Sequence, residues 1–218
     1  GAKITGAGTD LIRIEGVDYL NGCRHQKIAD RIVAGTYMLA GALVGDKLRI
    51  NNVIPEHLEA FIAKLQEAGV DLEIGEDYVV VSKINSDTKA VNVKTMTYPG
   101  FPTDLQQPFT VLMTQLEGMS LVNESIYSAR FKHVEELNRM GANIRQENAS
   151  AIVVGPTALQ GTRVEATDLR AGFAMVLAGL TAEGVTEVHH IEHIERGYDD
   201  FVNKLNTLGG KLWIEEIE

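Results

Sequence analysis

The chain has 218 residues, 44% of them hydrophobic, with 20 basic against 30 acidic side chains, a net charge of -10 and one cysteine. That is enough apolar material for a real core in one large domain or two small ones. The acidity opposes non-specific binding to nucleic acid or an anionic membrane, so an anionic ligand must be held by local arginines. Cys23 alone excludes an intrachain disulfide and a multi-cysteine metal site. There is no run of about eighteen apolar residues, and Gly1-Ala-Lys-Ile-Thr-Gly6 lacks the basic-then-apolar design of a signal peptide. The composition fits a soluble cytoplasmic protein.

Two short alternating runs, residues 1–6 and 9–16, predict a hairpin. Similar pairs of runs follow Gly69 (70–74, then 78–81) and Gly141 (142–145, then 151–154), and a single run, 210–214, follows Gly209. With Gly1, these glycines recur at intervals of about 70 residues, the mark of an internal repeat. Each later glycine ends an amphipathic helix: Phe61-Ile-Ala-Lys-Leu-Gln-Glu-Ala-Gly69, Val134-Glu-Glu-Leu-Asn-Arg-Met-Gly141 and Phe201-Val-Asn-Lys-Leu-Asn-Thr-Leu-Gly209. A terminal glycine suits a left-handed C-cap.

Upstream in each unit an aspartate precedes a second helix rich in small residues: Asp30 before 32–43, Asp104 before 109–116 and Asp168 before 171–180. Short strands are expected after these, at 47–53, 120–124 and 186–190. The unit therefore reads helix, strand, helix, strand, strand. Helices such as Ala171-Gly-Phe-Ala-Met-Val-Leu-Ala-Gly-Leu180 carry few charges and should be buried on most sides. Three such units can place buried helices in the middle and sheets outside.

The stretch Tyr98-Pro-Gly-Phe-Pro-Thr-Asp-Leu-Gln106 holds two of the five prolines and fixes a carboxylate at a predicted helix start. Asp104 is either an N-cap or a catalytic base. Four arginines, Arg31, Arg130, Arg170 and Arg196, lie in loops or at element ends; each alone reads as a surface or ion-pair residue. If the units are related by pseudo-threefold symmetry, these loops can converge, and guanidinium groups beside helix N-termini suit phosphate and carboxylate. His189, His190 and His193 invite a metal, but strand and loop spacing does not give ligand geometry, and no metal is expected. Cys23, in Leu20-Asn-Gly-Cys-Arg-His25, reads as a turn cysteine. No P-loop, dinucleotide fingerprint or nucleophile elbow is present.

Four ordered motifs, Phe101-Pro-Thr-Asp-Leu-Gln106, Arg130-Phe-Lys-His133 with Glu136-Leu-Asn-Arg-Met-Gly141, Ala166-Thr-Asp-Leu-Arg170 and His193-Ile-Glu-Arg-Gly-Tyr198, resemble the enolpyruvyl transferases. The resemblance covers nearly the whole chain. It is nearest to the bacterial members that act on UDP-N-acetylglucosamine at the start of peptidoglycan synthesis, and more distant to those of the shikimate pathway. It implies an α/β fold, the inside-out α/β barrel of three repeats, as one of two domains closing over substrates.

It also implies roles. Asp104 binds the sugar and takes the proton from its 3-hydroxyl, with Thr103 alongside, and the backbone at Ile126 contacts the nucleotide-sugar. Arg170 and Arg196 hold the phosphate and carboxylate of phosphoenolpyruvate, Arg130 supports the closed cleft, and Asp168 belongs to the substrate-binding set. Asp104 and Arg196 are the catalytic pair among these, and no cofactor is expected. The family's catalytic cysteine, with its paired lysine and asparagine, belongs to the other domain, and Cys23 does not match it. The expectation is a second half of the enzyme: residues 29–218 as the three-repeat domain, residues 1–28 as hairpin and linker of the missing domain, a last unit lacking one strand, and no turnover alone. Two rivals stay open, a shikimate-pathway transferase domain and a non-catalytic repeat module that binds a protein partner. The second predicts arginines scattered over the surface.

Overall fold

A computed structural model describes residues 1–215. The hairpin forms first: β1 (Lys3–Thr5) pairs antiparallel with β2 (Arg13–Glu15). Apart from the half-buried Gly6, residues 1–28 are exposed throughout, including Ile4, Leu11, Ile12 and Ile14.

The first unit runs α1 (Arg31–Val44), β3 (Lys47–Asn51), α2 (Glu59–Glu67), β4 (Leu72–Ile74) and β5 (Tyr78–Ser82), and its sheet has the order β3-β5-β4. The second runs β6 (Val93–Lys94), α3 (Gln106–Met113), β7 (Gly118–Asn123), α4 (Lys132–Arg139), β8 (Asn143–Glu147) and β9 (Ser150–Gly155), in the order β6-β7-β9-β8. The third has β10 (Arg163–Glu165), α5 (Leu169–Thr181), β11 (Glu187–His189), α6 (Glu192–Glu195) and α7 (Phe201–Thr207), with β10 parallel to β11.

The first two units follow the order helix, strand, helix, strand, strand and the third follows its first three elements, with two corrections. The second and third units open with an extra short strand, β6 or β10, that pairs in parallel with the strand beyond the buried helix. A parallel partner has to be reached by such a crossover. Two or three residues are too few to show alternation in a sequence. The strand expected at 210–214 does not form among the described residues. Its start is nonetheless placed by the device used in the second unit. Asn138 on α4 donates through Nδ2 to Ile144 O and accepts from Ile144 N; Asn206 on α7 does the same with Leu212.

The three small-residue helices form the centre: α1, α3 and α5 each touch the other two, and the sheets lie outside them as separate, open sheets. Glycine lets neighbouring elements approach two of these helices closely. A Cβ at Gly35 would stand 2.6 Å from Leu105 Cδ1, and one at Gly172 would stand 2.6 Å from Ile194 Cγ1. The second helices end as expected, since Gly69, Gly141 and Gly209 all have left-handed φ values of 84, 94 and 98°.

Candidate functional site

The repeated aspartates do not behave alike. Asp30 caps α1 by accepting from the backbone N–H of Ile32 and Val33, and Asp168 caps α5 by accepting from those of Arg170 and Ala171. Asp104 caps nothing. It sits inside a 3-10 turn (Thr103–Leu105) one step ahead of α3, so its carboxylate is free to face two guanidinium groups. Arg130 Nη1 donates to Asp104 Oδ1 at 2.6 Å, and Arg170 approaches Oδ2 with Nε at 3.3 Å and Nη2 at 3.2 Å. The arginine side chains are 17% and 10% exposed against 35% for Asp104, so the carboxylate is the open side of the group.

Each partner is held from behind. The loop carrying Asp104 is anchored by Phe101, which packs edge-on to Phe109 at 5.3 Å between centroids and against Phe61 at 5.9 Å. Arg170 follows the Asp168 cap, and Asp168 Oδ2 also accepts from Gln107 Nε2 at 3.2 Å, which ties the start of α5 to α3. Tyr198 lies beside Arg170, its ring centroid 5.4 Å from the guanidinium carbon. That ring also packs at a tilt of 32° on Phe173, 4.0 Å between centroids, and its hydroxyl lies 2.9 Å from Thr36 Oγ1 on α1.

Charge follows from this packing. Burial works against the ionised form of Asp104, but the hydrogen bond and charge of Arg130, with Arg170, outweigh it and hold the carboxyl below its ordinary 3.8. Burial likewise works against the Arg170 cation. The neighbouring Tyr198 and Asp104 outweigh it, and the guanidinium stays charged. Beside them His133 is wholly buried with neither ring nitrogen hydrogen-bonded. Burial pushes it down to about 3, Asp168 working in the opposite direction and Arg130 in the same one, so it is neutral near pH 7 and unsuited to proton transfer there.

A second carboxylate lies outside every motif that the sequence offers. Glu124 follows β7, where Ser120 and Val122 point inward, and period two turns Glu124 inward as well; it is 1% exposed. It accepts from Thr95 and Thr103 hydroxyls and from the backbone N–H of Ile126 and Tyr127. The alternation was the signal that could have found it.

Of the expected site residues, Thr103, Asp104, Arg130 and Arg170 are joined by direct contacts, and Asp168 lies next to Arg170 as its helix cap. The Ile126 backbone is tied to Thr103 through Glu124, while its side chain is exposed. Arg196 makes no such contact: it is exposed, and its Nη2 lies 2.7 Å from His193 Nδ1. Arg31 lies over the Tyr98 ring at 5.5 Å. His190 Nε2 lies 3.1 Å from Glu165 Oε2 and its Nδ1 3.4 Å from Glu192 Oε1, and His189 Nε2 lies 3.6 Å from Glu187 Oε2. Cys23 is exposed. No helix among the described residues is long and apolar enough to cross a membrane.

Comparison with known proteins places the chain as a whole. Residues 1–205 match the family model of EPSP synthase (3-phosphoshikimate 1-carboxyvinyltransferase). Over 217 residues the chain is 58% identical to UDP-N-acetylglucosamine 1-carboxyvinyltransferase 2 of Geobacillus kaustophilus and 54% identical to the Bacillus subtilis protein of the same name. All of this chain is covered, but it spans only 50% and 51% of those relatives' lengths. Among solved structures, the enolpyruvyl transferase NikO from Streptomyces tendae superposes with a TM-score of 0.84 at 30% identity, over 96% of this chain and 50% of that one. EPSP synthase from Acinetobacter baumannii shares the fold at 18% identity and a TM-score of 0.59, over 78% of this chain and 43% of that one. The chain belongs to the EPSP synthase family of enolpyruvyl transferases.

Proposed function

We propose that this chain forms one half of an enzyme that transfers the enolpyruvyl group of phosphoenolpyruvate to the 3-hydroxyl of UDP-N-acetylglucosamine, the first committed step of peptidoglycan synthesis, in the bacterial cytoplasm. The observation that carries the reading is Asp104 set between Arg130 and Arg170, two cations and an open carboxylate at one helix end. The most similar relatives reported above bear the UDP-N-acetylglucosamine name, which favours the nucleotide-sugar over shikimate 3-phosphate. The convergence of Arg130 and Arg170 counts against a binding module with scattered arginines, although Arg31 and Arg196 make no contact with that group.

In this reading Asp104 binds the sugar and accepts its hydroxyl proton. The hydroxyl oxygen bonds to C2 of the enol phosphate while C3 gains a proton, giving a tetrahedral intermediate. Loss of a proton from C3 and cleavage of the bond between C2 and the phosphate oxygen then expel phosphate and restore the double bond, the bond to the sugar oxygen being kept. Two arginines on one carboxylate make it a weak base, so an anionic substrate that recruits Arg170 raises the basicity of Asp104 at the moment it is needed. Arg170 and Arg196 take the phosphate and carboxylate of phosphoenolpyruvate, Arg196 being assigned on the family resemblance. Thr103, the Ile126 backbone and Asp168 complete the substrate side, and Arg130 steadies the closed cleft. The reacting cysteine is assigned to the complementary half, to which residues 1–28 also belong. Neither a cofactor nor a metal is required. The three central helices with sheets outside are read as the inside-out barrel.

The test is to join this chain to the complementary half of the Bacillus subtilis relative and follow phosphate release. Release should require UDP-N-acetylglucosamine rather than shikimate 3-phosphate, and Asp104→Ala should lower it by about a hundredfold or more. Full activity in that variant, or a preference for shikimate 3-phosphate, contradicts the reading.

A further inference from the structure

The group between the end of β7 and the Asp104 loop carries a step beyond this assignment. An ionised carboxylate offers only acceptors, and a buried one is tolerated only when donors satisfy it. Glu124 meets that condition with four neutral donors. Oε1 accepts from Thr95 Oγ1 at 2.6 Å, Ile126 N at 2.9 Å and Tyr127 N at 3.0 Å; Oε2 accepts from Thr103 Oγ1 alone, at 2.8 Å. The two oxygens therefore hold different things, one the backbone at Ile126 and Tyr127 and the other the residue next to Asp104.

The second contact sets a polarity. A threonine hydroxyl has one hydrogen and two lone pairs. The hydrogen of Thr103 is committed to Glu124, and one lone pair accepts from Arg130 Nη1 at 3.1 Å. What remains for a ligand is an acceptor. Asp104, next in the chain and bonded to the same Arg130 nitrogen, is also an acceptor.

We infer that Glu124 is a positioning residue of the proposed site: by fixing the Thr103 hydroxyl as an acceptor beside Asp104, while its other oxygen holds the Ile126 backbone, it selects a ligand that presents a hydrogen-bond donor, such as a sugar hydroxyl or an amide N–H. This rests on the proposed function. Glu124→Gln separates the two duties. Its carbonyl oxygen stays with the three donors at the Oε1 position, which keeps the Ile126 loop. Its NH2 group then faces Thr103 Oγ1, so the hydroxyl hydrogen is turned away and the acceptor is lost to the ligand.

The experiment is a titration of this chain with UDP-N-acetylglucosamine, followed by amide NMR, for the unmodified chain, E124Q, T103V and the double variant. E124Q should weaken binding about tenfold, or about 1.4 kcal/mol, with the Ile126 and Tyr127 amides still protected from exchange. The double variant should bind no worse than T103V, because both changes remove one acceptor. A merely structural role for Glu124 would instead add its loss to that of T103V. Equal binding by E124Q and the unmodified chain, or additive losses, overturns the inference and leaves the proposed function standing. No response from the unmodified chain, even when it is joined to the complementary half of the Bacillus subtilis relative, contradicts both. Should E124Q fail to fold, a neutron density map of the unmodified chain decides: a Thr103 hydroxyl hydrogen on the line to Glu124 supports the inference, and one aimed into the cleft refutes it.

Discussion

Arg130 Nη1 lies 2.6 Å from Asp104 Oδ1, although the two residues are 26 positions apart and lie in different loops. Because Arg170 reaches the other oxygen of the same carboxylate, the 3-10 turn before α3 and the first turn of α5 are cross-linked by charge.

Removal of Arg170 should therefore be felt in stability and in titration. Arg170→Ala leaves a partly buried carboxylate with one partner and a hole beside Tyr198, and should cost about 1–3 kcal/mol in urea unfolding. Lysine should not restore it, since a point charge cannot reproduce the two-nitrogen approach. In either variant the Asp104 carboxyl should rise towards 3.8, as read by carbon NMR. The sign is that of a depressed acid: the stabilising contribution is complete above the unfolded value and declines as pH falls through the lower folded one.

The three aspartates should separate under alanine substitution. Asp30→Ala removes a helix cap and should cost about 1 kcal/mol. Asp168→Ala removes a cap and also the hydrogen-bond partner of Gln107, so it should cost more. Asp104→Ala removes no cap, so the amide exchange of the first turn of α3 should stay as it is while that of α1 and α5 accelerates in their own variants.

Acid should destabilise the chain before the carboxylates titrate. His133 is held at about 3 in the fold against 6.5 in the unfolded chain, so the unfolded state takes up a proton first. Stability should begin to fall below about pH 6.5 and keep falling towards pH 3, with a slope of up to about 1.4 kcal/mol per pH unit from this group. Since neither ring nitrogen has a partner, His133→Phe should flatten this slope without a large loss at pH 7.

What could be read in the sequence was what repeats. The interval of the glycines gave the three units, and their left-handed C-caps follow from glycine being the residue that enters that region without a Cβ penalty. The Asp30 and Asp168 helix starts follow from capping chemistry. Asp104 looked the same because a 3-10 turn and an α-helix start share their residue preferences; only the tertiary position of Arg130 and Arg170 separates a cap from an ion-paired carboxylate. β6, β10 and the four-residue α6 are too short for a period to emerge. Tyr198 was visible as part of a motif, yet its packing against Arg170, Phe173 and Thr36 depends on elements from two ends of the chain.

The most direct test of the account is calorimetric titration of this chain with UDP-N-acetylglucosamine, beside Asp104→Asn. The account predicts binding that the variant weakens by about tenfold or more, because the amide keeps the shape but loses the charge shared with Arg130 and Arg170. Equal binding by both proteins, or by neither, would contradict the claim that Asp104 and its arginines form a ready-made part of the sugar-nucleotide site.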